Sequence, residues 1–177
     1  MPWYAIQTRS NFEQRVSSEI LRKPEVVPFF PCFQELRRSN FGRKRELVNV
    51  PLFRGYLFAR FEDDPRQRLA VLSTIGVARI LGHGQQIEAI PDSEIEALRR
   101  LMSSPAPIHP HPQLKPGAWV RMKHGPLEGI EGTLVRVKNS HRLVVAVDLL
   151  RAGASTEVDI ADVEILKSVG SKPAPRR

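Results

Sequence analysis

The stretch Val50–Phe61, VPLFRGYLFARF, constrains the fold of this chain more than any other. It reads as a β-strand with apolar and aromatic side chains on both faces. Side chains alternate along an extended chain, so Leu57, Ala59 and Phe61 point one way and Tyr56 and Phe58 the other. A strand on an open antiparallel sheet usually buries one face only. The second face therefore needs a cover of its own, either a loop or helix of the same chain or a partner.

The rest of the chain offers limited material for that cover. It has 177 residues, of which 41% are apolar, enough for a core. Ser103–Gln113, SSPAPIHPHPQ, holds prolines 105, 107, 110 and 112 and reads as an extended, stiff linker. The predicted organisation is an N-terminal domain over 1–102, a linker over 103–113, a C-terminal domain over 114–167 and a disordered tail over 168–177.

In the N-terminal part, WYAIQT (Trp3–Thr8) is β-like. Ser10–Glu13 has the form of a capping box, in which the Ser10 hydroxyl accepts from the Glu13 amide and the Glu13 carboxylate reaches back. Phe12, Val16 and Ile20 recur at helical spacing. ELRRSNFGRKRELVNV reads as two strands about a turn at Asn40–Gly42. Asp64-Pro65 starts a helix whose Leu69 and Leu72 are expected to face inward. GVARIL is a short strand, and Ile95, Leu98 and Leu101 mark a final helix from about Asp92. The order β-α-β-β-β-α-β-α predicts an α+β domain, an antiparallel sheet with flanking helices. The C-terminal part differs. WVRM, GTLVRV, LVVAVDL, TEVDI and VEIL are short β-rich runs broken by glycine or polar turns, and they predict a small five-stranded barrel.

Charge favours polyanionic partners. The net charge is +8. Leu36–Arg45 concentrates Arg37, Arg38, Arg43, Lys44 and Arg45 without an acid, on a hairpin tip, and Phe41 among them can stack on a base. The competing reading is a solvated loop. Arg9 and Arg15 bracket the first helix start and can extend the same positive surface.

Catalytic patterns are missing. Gly82-His83-Gly84 lacks the third glycine and the helix of a dinucleotide loop. His109 and His111 sit in the linker without further ligands, so no metal is expected. Asp63-Asp64 reads as a helix start beside a favourable dipole end. Cys32, the one cysteine, is expected in the core and excludes an internal disulfide. No apolar run is long enough to span a membrane, and no secretory pattern opens the chain. A cytoplasmic, monomeric binding protein without cofactor or enzymatic activity is expected.

Four segments carry a resemblance. WYAIQTRSNFEQRV, PLFRGYLFARF and IPDSEIEALRRL resemble, in order and spacing, the N-terminal (NGN) domain of the NusG family of transcription elongation factors. LKPGAWVRMKHGPLEGIEGTLVRV resembles the KOW motif that follows it, an SH3-like barrel. The resemblance runs from about Trp3 to Leu166. It implies that an apolar depression including Leu52, Phe53, Tyr56 and Phe58 grips a helical coiled coil on the clamp of RNA polymerase's largest subunit. Arg66–Ser73 would approach the second pincer. Arg9, Arg15 and the Arg37–Arg45 hairpin would lie near non-template and upstream DNA. Leu149 and Leu150 would contact a KOW partner, a small-subunit ribosomal protein or Rho.

PLFRGYLFARF is nearer to the specialised RfaH-like and UpxY-like antiterminators than to the housekeeping factor. Two departures stand out. Arg54 replaces the usual proline, and Leu150-Arg151 replaces a Phe-Gly pair through which the housekeeping factor meets Rho or the ribosome. One specialised relative refolds its C-terminal domain from a helical hairpin to a barrel; the β-prone runs and glycine breaks here predict no such switch. Outside this branch, a housekeeping role and a ribosome-associated KOW protein that binds structured RNA are the alternatives.

Overall fold

The computed structural model describes residues 1–38, 45–84, 86–111, 117–137 and 140–167. The turn at Asn40–Gly42, with Phe41, Arg43 and Lys44, and the 168–177 tail lie outside them. The chain divides into two units, Met1–Asp92 and Ser93–Arg177. It is an α+β protein, with three α-helices and antiparallel sheets among the described residues.

The first unit opens with β1 (Trp3–Thr8) and α1 (Glu13–Ile20), then β2 (Val27–Phe29), β3 (Cys32–Arg38), β4 (Arg45–Pro51) and β5 (Tyr56–Arg60). Next come α2 (Pro65–Leu72), β6 (Val77–Ile80), β7 (Gly82–His83), β8 (Gln86–Ile87) and β9 (Ala89–Ile90). The main sheet runs β2-β5-β1-β6, and β9 also pairs with β1. Among the described residues β3 and β4 form a two-stranded sheet, as do β7 and β8. The sequence pattern has no counterpart for β2 or for β7 to β9.

Register places Tyr4 opposite Ala59 and Ile6 opposite Leu57 on one face, and Ala5 opposite Phe58 on the other. On the first face Tyr4, Ile6, Leu57, Ala59 and Phe61 pack with Val16 and Ile20 of α1 and Val71 of α2. This is the alternation the strand pattern predicts.

The two helix starts behave differently. Asp64 caps α2 and accepts from the amides of Arg66 (2.8 Å) and Gln67 (3.0 Å). The stripe that turns inward is Gln67 and Val71, not Leu69 and Leu72, which stay 66% and 46% exposed. Gln67 accepts the Glu62 amide (2.8 Å), and that bond holds the 67/71 face toward the sheet. At α1, Phe12 is the N-cap and no side-chain capping bond forms there. The Glu13 carboxylate, instead of closing a capping box with Ser10, bonds the Gly55 amide.

In the second unit α3 (Asp92–Ser103) precedes β10 (Ile108–His111), β11 (Ala118–Met122), β12 (Glu131–Val137), β13 (Ser140–Val147), β14 (Ala152–Val158) and β15 (Val163–Lys167). Ile95, Leu98 and Leu101 form the buried stripe of α3, as their spacing predicts. The sheet order is β10-β14-β13-β12-β11-β15. The five expected strands are all present, and no ladder among the described residues joins β10 to β15 to close the sheet. β13 is buried on both faces, through Leu143, Val144, Val145 and Val147. Gly132 allows the close approach of β12 and β13, since a Cβ there would lie 2.4 Å from the Val144 carbonyl oxygen.

The sixth strand comes from the Pro-rich stretch. Ile108–His111 pairs antiparallel with Gly153–Thr156. The buried Thr156 and Ser155 hydroxyls donate to the carbonyls of Pro107 (2.9 Å) and His109 (3.4 Å). An edge strand tolerates the N–H that Pro110 lacks. The division at Asp92/Ser93 groups α3 with this sheet rather than with the preceding residues. The Asp148 amide donates to the Glu94 carboxylate (3.3 Å), and the Arg100 guanidinium donates to the Glu128 carbonyl.

Candidate functional site

Leu52, Phe53, Tyr56 and Phe58 converge where β4 passes into β5. Pro51 ends β4, and a tight turn follows in which the Tyr56 amide donates to the Phe53 carbonyl (3.1 Å). Gly55 has φ +79, as the third position of a type II turn requires. Both its backbone groups are engaged. The Thr8 amide donates to its carbonyl (2.8 Å), and its own N–H donates to Glu13 Oε1 (2.7 Å).

Around the turn lies an aromatic row. Phe58 stacks on Phe29 at a centroid distance of 6.0 Å, and Phe53 meets Phe58 edge-on at 5.6 Å. Trp3 meets Phe29 edge-on at 6.2 Å, and the Arg60 guanidinium lies over Trp3. Phe58 is fully buried, and Leu52 and Phe53 are nearly so. Tyr56 is half-buried and Arg54 exposed.

On this face of the sheet Phe58 packs between Phe29 and Phe53. Leu52, Phe53 and Phe58 make an apolar floor, and Tyr56 is the accessible member of the four. The cause is tertiary: β2, invisible in the sequence pattern, brings Phe29 opposite Phe58.

The basic residues divide. Arg9 and Arg15 are exposed at the start of α1. Arg15 lies over the Phe12 ring and pairs with Glu19 (3.0 Å). Arg37 and Arg45 are exposed on the β3–β4 ribbon, where Arg38 is the register partner of Arg45. Arg37 pairs with Glu35 (2.7 Å), so part of its charge is met locally. On the same ribbon Leu36 and Leu47 face each other, both exposed.

Leu149 and Leu150 lie in a one-turn 3₁₀ segment, Asp148–Leu150, and both are half-buried. Arg151 follows with φ +49, a left-handed conformation more natural to glycine.

Chemistry elsewhere is structural. Asp63 pairs with Arg68, whose guanidinium holds the Asp63 carboxyl below its ordinary range. Burial pushes the Cys32 thiol up, which suits a packing residue rather than a nucleophile. Among the described residues no three His, Cys, Asp or Glu gather as a metal site, and no helix is long and apolar enough to cross a membrane.

Comparison with known proteins follows the same outline. Residues 1–99 match the NusG family model, described as transcription termination factor nusG. The chain is 25% identical over 170 residues to the transcription termination/antitermination protein NusG of Rickettsia typhi, covering 92% of this chain and 88% of that one. It is 27% identical over 172 residues to the protein of the same description from Pasteurella multocida, covering 92% and 93%. A solved structure described as "Domain interaction in Thermotoga maritima NusG" aligns with a TM-score of 0.57 at 22% identity, over 94% of this chain and 97% of that one, a likeness of fold.

Proposed function

We propose that this chain, which belongs to the NusG family, binds RNA polymerase across the cleft and holds it in the elongating state. As a NusG-type transcription termination/antitermination factor it is no enzyme. Two surfaces support the reading. The Phe53–Tyr56 turn presents Tyr56 above an apolar floor of Leu52, Phe53 and Phe58, and we assign it to the helical coiled coil of the clamp. α2 leaves Leu69 and Leu72 exposed within Arg66–Ser73, and we assign them to the second pincer. Arg9, Arg15, Arg37, Arg38, Arg43, Lys44 and Arg45 would meet non-template and upstream DNA.

No covalent step is needed. A protein with greater affinity for the closed clamp than for the open one shifts their ratio by that difference. About 1.4 kcal/mol changes the ratio tenfold. Pausing and termination fall as the open state is depopulated.

Within the family we place the chain with the specialised RfaH-like and UpxY-like antiterminators, acting on a restricted set of long operons. PLFRGYLFARF and Leu150-Arg151 support this. The names of the relatives favour the other reading, a housekeeping factor that meets Rho or a ribosomal protein through Leu149 and Leu150. The observation that carries the polymerase assignment is the turn at Gly55, an accessible aromatic on a packed apolar base. Its test is co-purification with core polymerase. Wild type should be retained and Tyr56→Ala should not; equal recovery of the two removes the assignment. Terminator read-through with and without Rho separates the two branches.

A further inference from the structure

We propose that Glu13 is a positioning residue for the polymerase contact, acting through the Gly55 turn; this rests on the function proposed above. Glu13 is 6% exposed, at the first position of α1. It reaches across 42 residues of sequence to accept the Gly55 N–H at 2.7 Å. A carboxylate acceptor makes this stronger than an ordinary amide bond. Together with Thr8 on the Gly55 carbonyl, it anchors the turn through both backbone groups of Gly55 to β1 and α1.

The turn needs such an anchor. Its second position is Arg54, whose φ is not locked as a proline's would be. Its third is Gly55, the residue with the most conformational freedom to lose. A type II turn with its glycine in place but arginine where proline is common is only partly specified by its own sequence. Glu13 supplies from outside what the central residues lack. The side chains whose directions depend on it are Phe53 and Tyr56, which flank the turn.

The consequence is specific. Removing the acceptor should loosen the turn and blur the position of Tyr56, while the core beneath α1, built on Val16 and Ile20, stays packed. Affinity for polymerase should fall by more than the loss of global stability explains. Locking Arg54 by proline should offset the loss, because it restricts the turn by another route.

The experiment compares wild type, Glu13→Ala, Glu13→Gln, Glu13→Ala/Arg54→Pro and Val16→Ala in the full chain. Each is titrated with core RNA polymerase, each melting curve is recorded, and the Gly55 amide is followed by nitrogen-15 NMR. Glu13→Ala should weaken binding about tenfold and move the Gly55 amide proton upfield. Glu13→Gln keeps an oxygen acceptor and should stay near wild type. The proline double variant should regain most of the affinity. Val16→Ala should lower the melting temperature without changing affinity. Glu13→Ala binding as wild type does, while the Gly55 resonance moves, overturns the positioning role and leaves the polymerase reading intact. Weakening by Val16→Ala in proportion to its melting temperature overturns it too, as a stability effect. Failure of wild type itself to bind removes the proposed function and this inference with it.

Discussion

Phe58 stacks on Phe29 with ring centroids 6.0 Å apart and planes 28° from parallel. The pair sits on the face of the sheet opposite the α1 and α2 core, and Phe58 has no exposed surface. The candidate contact is thereby backed by a packed aromatic pair. Its buried and accessible members should respond differently to mutation.

Phe58→Ala should destabilise the protein by about 3–5 kcal/mol, the usual cost of an emptied phenylalanine site. Tyr56→Ala, at a half-buried position, should cost far less stability and yet lose polymerase. Urea melts and polymerase titration on both variants check this. A Tyr56→Ala protein as unstable as Phe58→Ala would make Tyr56 a packing residue.

The basic cluster Arg43, Lys44 and Arg45 is testable by salt. Replacing Arg43, Lys44 and Arg45 by Ala should weaken DNA binding uniformly across sequences. The slope of log affinity against log salt should shrink by about 0.9 for each duplex phosphate that is no longer neutralised. An unchanged slope would mean that these side chains are merely solvated.

Asp63 and Arg68 give a pH dependence of known sign. The Asp63 carboxyl is held below its ordinary value by Arg68, so the pair stabilises the fold above about pH 4 and loses that contribution as pH falls through the lowered value. Asp63→Asn should therefore melt slightly earlier than wild type at neutral pH, and the gap should close on acidification. The effect is small because both side chains reach solvent. A gap that persists at about pH 2, well below the ordinary carboxylate range, would exclude the ion pair as its cause.

The segment from Ser93 onward should give a circular dichroism spectrum dominated by β-structure, with one helix from α3. Val144, Val145 and Val147 of β13 are β-branched and buried, and Gly132 and Gly153 permit close strand approach. A mostly helical spectrum would establish the helix-to-sheet switch that the sequence argues against.

Local chemistry alone determined much of this protein. Alternation put Leu57, Ala59 and Phe61 on one face, Asp64-Pro65 began α2, and the Ile95, Leu98, Leu101 spacing laid out α3, because each depends on neighbours within a few residues. Only the tertiary structure decided what these elements touch. β2 is three residues long and shows no pattern, yet it carries Phe29 to Phe58. Prolines mark 103–113 as linker, but hydrogen bonds from Ser155 and Thr156 recruit Ile108–His111 into a sheet. Glu13 has a plausible local partner in Ser10 and takes a distant one in Gly55. In each case the deciding energy lies between residues some 30 or more apart in the chain, which a periodicity within one segment does not contain.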